Sequence, residues 1–197
     1  MDQAGSRAPK VSPRFEHALQ YAASLHAGQE RKGTNVPYVA HLMSVAALVL
    51  EDGGDEDEAI AALLHDAVED QGGQPTLEQI RQRFGQRVAG IVEGCTDRDT
   101  SPKPPWRQRK EQYLAYLRHT SAEVRRVSSA DKLHNARAIL ADFRQVGDAL
   151  WQRFQGDKEG TLWYYRSLVT VFREAGSGLI VEELDRVVTE LERLVSS

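Results

Sequence analysis

The sequence predicts an all-α protein folded as a single domain. Apolar residues recur with a helical period along nearly the whole chain, and no segment alternates apolar with polar residues for long enough to form a half-buried strand. No composition break separates two cores, and 197 residues suffice for one substantial core while a second would be crowded.

The opening MDQAGSRAPKVSP lacks the apolar stretch of a secretory signal, so residues 1–12 read as a disordered tail and 13–197 as the folded domain. After Pro13, residues Phe15, Ala18, Leu19, Ala22 and Leu25 line one helix face. A second, almost wholly apolar helix spans Tyr38 to Leu50. Asp55 with Glu58 three residues on has capping-box spacing. The helix it starts carries Ile60, Leu63, Leu64, Ala67 and Val68 on one face and is expected to run through Asp70. Thr76 with Gln79 starts the next, with Leu77, Ile80 and Phe84; Gly85 breaks it, and Val88, Ile91, Val92 and Cys95 resume the pattern. DRDTSPKPP, residues 97–105, is a loop by composition. Helices are expected near 106–119, 122–142 and 159–175, and a last one holds Leu184, Val187, Val188, Leu191 and Leu194. The result is a bundle of roughly eight to ten helices.

Composition narrows the function. A net charge of -4 disfavours a protein that coats nucleic acid, which needs a positive face. The single cysteine, Cys95, excludes an internal disulfide and a multi-thiolate zinc site, and it suits the reducing cytoplasm. No apolar run approaches the ~20 residues that span a bilayer, so no membrane role is expected.

His65, Asp66, Glu69 and Asp70 form a polar strip beside the apolar face of their helix, with His65 over Glu69 and Asp66 over Asp70 at spacings of four. One imidazole and three carboxylates crowd there, at a helix end whose dipole already disfavours negative charge. A bound cation relieves both problems. Two further placements are unusual: His41 near the start of an apolar helix, in PYVAHLMSVAA, and Asp131 inside an apolar-periodic helix, in SSADKLHNARAIL. Singly, a charged strip is a solvated face, a lone histidine a satisfied rim residue and a lone aspartate half of a salt bridge. Together they are explained by one divalent ion held by His41, His65, Asp66 and Asp131. Two imidazoles and two carboxylates suit Mn, Fe or Zn better than Ca or Cu(I), with positions left for water and a substrate oxygen.

The order His41, His65-Asp66, Asp131 resembles the HD superfamily of metal-dependent phosphohydrolases. The segments HAGQERKGTNVPYVAHLMSVA, AALLHDAVEDQ, PTLEQIRQRFGQRVAGIVEGCTD and ADKLHNAR, from residue 26 to 137, resemble the hydrolase domain of the RelA/SpoT family and most of all its small alarmone hydrolases. GTLWYYRSLVTVFRE looks like the tail of those small enzymes. The resemblance implies removal of pyrophosphate from the 3′ position of guanosine tetra- and pentaphosphate, usually with Mn²⁺. It implies His41, His65, Asp66 and Asp131 as ligands and Glu69 and Asp70 as the acidic pair that positions and activates water. It implies Arg31 and Lys32 as a basic pair beside the nucleotide, with the arginine on the guanine, Tyr38 as an aromatic near that pocket, and Asn135 and Arg137 as contacts to ribose and phosphates. The sequence departs from the family in reading HLMSVA without a proline after the histidine and in a basic loop, RKGTNVPY, one residue longer than in the long enzymes.

Other residues have ordinary readings. Lys103, Arg107, Arg109 and Lys110 around Trp106 either reach distal phosphates or form a solvated helix start. His134 reads as a core histidine, with a place behind the ligands as the alternative; His26 reads as structural at a helix end, and His17 and His119 as surface. Trp163, Tyr164 and Tyr165 pack C-terminal helices, and Cys95 is core. The competing functions are an HD-type hydrolase of another phosphorylated nucleotide (the 2′-phosphate of NADPH or a nucleoside monophosphate), a nucleotide sensor without turnover, and a structural helical protein. The partner expected is a small nucleotide; the sequence does not specify an oligomeric state.

Overall fold

The computed structural model describes residues 11–96, 104–176 and 178–196. Within them lie ten α-helices: α1 (Pro13–Leu25), α2 (Val39–Glu51), α3 (Glu56–Leu64), α4 (Ala67–Asp70), α5 (Gln74–Phe84), α6 (Gln86–Cys95), α7 (Trp106–Leu117), α8 (Ala122–Val146), α9 (Asp157–Ala175) and α10 (Leu179–Val195). A 3₁₀ turn, Gly147–Arg153, joins α8 to α9. The only extended pairing among the described residues is one antiparallel bridge, Glu30 with Pro37. The all-α class is therefore observed. No described helix is long and apolar enough to cross a membrane.

Helix α8, at 25 residues about 37 Å long, is the axis of the molecule. Helices α2, α3, α6, α9 and α10 all pack on it. Its buried residues Val127, Ala130, Leu133, Ala136 and Leu140 form the stripe that receives them. Helix α1 lies on α3, α5 pairs with α6, and α7 rides on α9. That last contact depends on Gly156 and Gly160: a Cβ on Gly156 would sit 2.5 Å from the Trp106 ring, and one on Gly160 3.1 Å from it. Rings of Trp163 and Tyr164 close around the same tryptophan, so these aromatics pack helices as expected.

Several starts and stops differ from the sequence reading. Ser12, placed above in the tail, accepts the Arg14 N–H as the N-cap of α1, while residues 1–10 lie outside the described set. Thr76 does not start α5: Pro75 lies in its first turn, and the Thr76 hydroxyl donates to the Gln71 carbonyl instead. Helix α8 runs four residues past the expected end to Val146, and the 3₁₀ turn after it was not anticipated. The largest difference is at the polar strip. The helix after Asp55 ends at Leu64, and Glu69 and Asp70 stand on the separate short α4. The His65 ring supplies the reason. Its Nδ1 bonds the Ala62 carbonyl at 2.8 Å, the acceptor that a continuous helix gives to the Asp66 N–H.

The capping box of α3 is complete: Asp55 accepts the Glu58 N–H at 3.1 Å, and Glu58 accepts the Asp55 N–H at 2.9 Å. Glu58 is 3% exposed and also pairs with Arg126 of α8, which bonds Asp52 at 3.1 Å. This box therefore ties the start of α3 to the central helix. Asp55→Ala should cost about 1 kcal/mol and lower the melting temperature by about 2–4 °C at pH 7, measured by circular dichroism. An unchanged melting curve would mean that the cap adds nothing to the tertiary packing.

Candidate metal centre and active site

Helices α2 and α8 and the break between α3 and α4 bring His41, His65, Asp66 and Asp131 to one point. His41 is 1% exposed, His65 4% and Asp131 8%. Ligand atoms of His41, His65 and Asp66 all lie within 4.8 Å of one another. Asp66 Oδ2 is 3.0 Å from His65 Nε2 and 3.7 Å from His41 Nε2. Asp131 Oδ1 reaches the same space, 3.3 Å from His41 Nε2 and 3.8 Å from His65 Nε2.

The hydrogen bonds behind this cluster aim lone pairs into it. The Ala62 carbonyl can only accept, so His65 Nδ1 carries the proton and Nε2 faces the carboxylates. Buried His65 Nε2 has no aligned hydrogen-bond partner, despite an oxygen at 3.0 Å. His41 is oriented the same way. Its Nδ1 lies 2.8 Å from His134 Nδ1, toward which Arg31 also points at 3.4 Å. Arginine only donates, so His134 accepts, His41 gives its Nδ1–H, and His41 Nε2 is left for the cluster. Without a cation a proton takes that place: burial opposes charge on the His65 ring, but Asp66 and Asp131 raise its pKa well above the usual histidine value. Burial likewise opposes charge on Asp66, which the charged His65 and then His41 hold well below the usual carboxylate range. Burial likewise opposes charge on Asp131, and Lys132, His41 and His65 hold it well below that range. A buried carboxylate, Asp131, and a partly buried one, Asp66, beside two imidazoles that can each turn Nε2 to a cation fit a divalent metal ion, and the cluster of His41, His65 and Asp66 is a candidate metal site.

Further residues brace this set. The Tyr38 hydroxyl donates to Asp66 Oδ2 at 2.6 Å, and burial followed by the Asp66 charge raises its pKa far above the phenol range, so it remains a donor. Lys132 Nζ lies 2.5 Å from Asp131 Oδ2 and 5.5 Å from the Tyr113 ring. Burial disfavours its charge, but Asp131 keeps it well above the usual lysine value. Asn135 Nδ2 donates to Asp131 Oδ1, and Asn135 Oδ1 accepts from Arg31 at 2.9 Å. Arg31 and Asn135 are thus joined at the rim of the cluster, with Lys32 exposed beside them. Arg137 is directed elsewhere in this structure: its guanidinium pairs with Glu183 of α10 at 3.3 Å on the surface. Glu69 and Asp70 lie on the exposed side of α4, and Asp70 Oδ2 accepts from Gln29 at 2.7 Å.

His134 corrects the reading as a core histidine. It is half-buried and joins His41 to Arg31, and burial with those two neighbours lowers its pKa to about 4, which keeps its ring a neutral acceptor. Its position three after Asp131 was the one available signal. Lys132 had none, since adjacent helical residues do not face each other. Of the basic segment, Arg107 stacks on Trp163 at 3.2 Å and pairs with Glu111, Arg109 reaches Gln155, and Lys110 lies 4.8 Å from the Tyr164 ring. These contacts stay within α7 or join it to α9 and the residue stretch just before it, while Lys103 falls outside the described residues. His17 and His119 are exposed, His26 caps α1 through its backbone N–H, and Cys95 packs against the core.

A helical bundle with two histidines and two aspartates around one buried point defines a class of metal-dependent hydrolase, and residues 18–162 match the HD-domain family, to which this chain belongs. Its relatives include the guanosine-3′,5′-bis(diphosphate) 3′-pyrophosphohydrolase MESH1 of Xenopus tropicalis, 42% identical over 125 residues, which are 62% of this chain and 67% of that protein. A guanosine-3′,5′-bis(diphosphate) 3′-pyrophosphohydrolase of Aquifex aeolicus is 43% identical over 91 residues, 46% of this chain and only 13% of that longer protein. The solved structure of a metazoan ortholog of SpoT, described as hydrolysing ppGpp, superposes with a TM-score of 0.74 at 28% identity, covering 94% of this chain and 98% of that one.

Proposed function

We propose that this chain is a manganese-dependent hydrolase that removes the 3′-pyrophosphate of guanosine tetra- and pentaphosphate, releasing GDP or GTP and pyrophosphate. The observation that carries this reading is the buried His41–His65–Asp66 cluster, with Asp131 as its fourth member, in a chain of the HD family whose MESH1 relatives are named for that reaction. When bound, the ion supplies Lewis-acid charge for the phosphoryl oxygens and lowers the pKa of a water near it.

The chain's own residues supply the rest. His41 and His65 present Nε2 because His134 and Ala62 hold their other nitrogens. Tyr38 and Lys132 each hold one oxygen of a ligand carboxylate, fixing Asp66 and Asp131. Glu69 and Asp70, exposed on the short helix that follows the His65-Asp66 break, orient the attacking water and take its proton. Arg31 and Lys32 meet the nucleotide: the planar guanidinium suits the face of a base, and the ammonium suits phosphate. Asn135 and Arg137 complete the ribose and phosphate contacts, Arg137 by exchanging Glu183 for a substrate oxygen.

The test is the product. The purified protein with Mn²⁺ and guanosine tetraphosphate should yield GDP and pyrophosphate, resolved by phosphorus NMR. Release of inorganic phosphate instead would overturn the assigned reaction and favour a phosphatase acting on another nucleotide; binding without turnover would make the chain a sensor.

A further inference from the structure

We propose that Gln29 is a positioning residue for Asp70, holding one oxygen of that carboxylate so that the other faces the reacting water; the inference rests on the reaction proposed above. Gln29 belongs to the turn that follows α1, and its side chain makes three contacts. Its Nε2 donates to Asp70 Oδ2 at 2.7 Å, and its Oε1 lies 2.7 Å from both Gln71 Nε2 and His26 Nδ1.

These contacts fix which way the amide points. An ionised carboxylate only accepts, so the nitrogen end must face Asp70. The oxygen end then faces two donors, Gln71 Nε2–H and His26 Nδ1–H. The histidine tautomer follows: an amide oxygen only accepts, so His26 Nδ1 carries the proton, and the buried His26 Nε2 has no hydrogen-bond partner among the described residues. The Gln29 backbone is pinned as well, because its carbonyl accepts the Tyr38 N–H at 2.8 Å.

His26 links this arm to the metal cluster. Its ring, 3% exposed, stacks on Tyr38 with centroids 5.3 Å apart and planes 22° from parallel. Tyr38 in turn holds Asp66. One buried histidine therefore braces two chains of contact, through Tyr38 to Asp66 and through Gln29 to Asp70. The placing of Asp70 relative to Asp66 is thus tied to one buried side chain at the end of α1.

Steady-state kinetics of four proteins, wild type, Gln29→Met, Asp70→Asn and the double variant, test this, together with Mn²⁺ titration and melting of each. Gln29→Met should lower kcat about tenfold or more, the scale on which misplacing a reacting group acts. KM for guanosine tetraphosphate and Mn²⁺ affinity should stay at wild-type values, while the melting temperature falls because the buried His26 Nδ1–H loses its acceptor. Gln29→Glu, which keeps the acceptor for His26 and Gln71 but turns a like charge on Asp70, should lose at least as much kcat. The double variant should be no slower than Asp70→Asn alone, since Gln29 acts through Asp70. Wild-type kcat in Gln29→Met, losses that multiply in the double variant, or lost Mn²⁺ affinity would each overturn the proposal while leaving the reaction intact. A wild-type protein that releases no pyrophosphate would overturn the reaction and this inference together.

Discussion

Asp131→Ala is expected to abolish both metal binding and turnover. Asp131 Oδ1 sits 3.3 Å from His41 Nε2 and 3.8 Å from His65 Nε2, and its other oxygen is taken by Lys132. Removing the side chain takes away one of two negative charges at the cluster and turns the Lys132 ammonium, now without its carboxylate, against any cation. Losing even a hydrogen-bonding partner of a ligand lowers metal affinity by about 10–100-fold, so losing the ligand should exceed that range. Calorimetric Mn²⁺ titration and the rate of pyrophosphate release should fall together. Asp131→Asn keeps the shape and an oxygen but not the charge; it should show the same double loss with an unchanged circular dichroism spectrum. Retention of wild-type Mn²⁺ affinity in both variants would remove Asp131 from the ligand set.

Glu69→Ala separates chemistry from binding. Glu69 stands exposed on α4, four residues past His65, and is not one of the clustered His41, His65 and Asp66, so its loss leaves those ligand atoms themselves in place. Positioned proton transfer contributes about 10²–10⁴-fold, and kcat should fall within that range while Mn²⁺ affinity holds. A variant that turns over like wild type would show that Glu69 has no part in activating water. A variant that loses the metal would make it a ligand.

The helical architecture was legible because its signal is local. Phe15, Ala18 and Ala22 on α1, or Val88, Ile91 and Val92 on α6, repeat at the spacing that one buried face requires, and the structure buries or packs each of them. The residues of the candidate metal site were legible for a related reason: a carboxylate or histidine inside an apolar pattern is costly, and Asp131 and His41 stand out against their neighbours. What stayed hidden depends on contacts remote in sequence. The break after Leu64 follows from a ring nitrogen reaching a carbonyl, which no periodicity reports. Tyr38 holding Asp66, Arg31 and His41 meeting at His134, and Lys132 turning to Asp131 are set by helix packing, and residue type alone does not announce them. The 3₁₀ turn buries Leu150 and Trp151 without a repeating stripe, so its seven residues carry no period to read.

The most direct measurement of the metal centre is elemental analysis of the protein purified without chelator and then loaded with Mn²⁺. About one ion per chain, with a melting temperature raised by Mn²⁺ and lowered again by chelation, is the expected result, because an ion that binds the folded chain stabilises it. Metal content below about a tenth of an ion per chain, with melting indifferent to Mn²⁺, would contradict the assignment of His41, His65, Asp66 and Asp131 as a metal site.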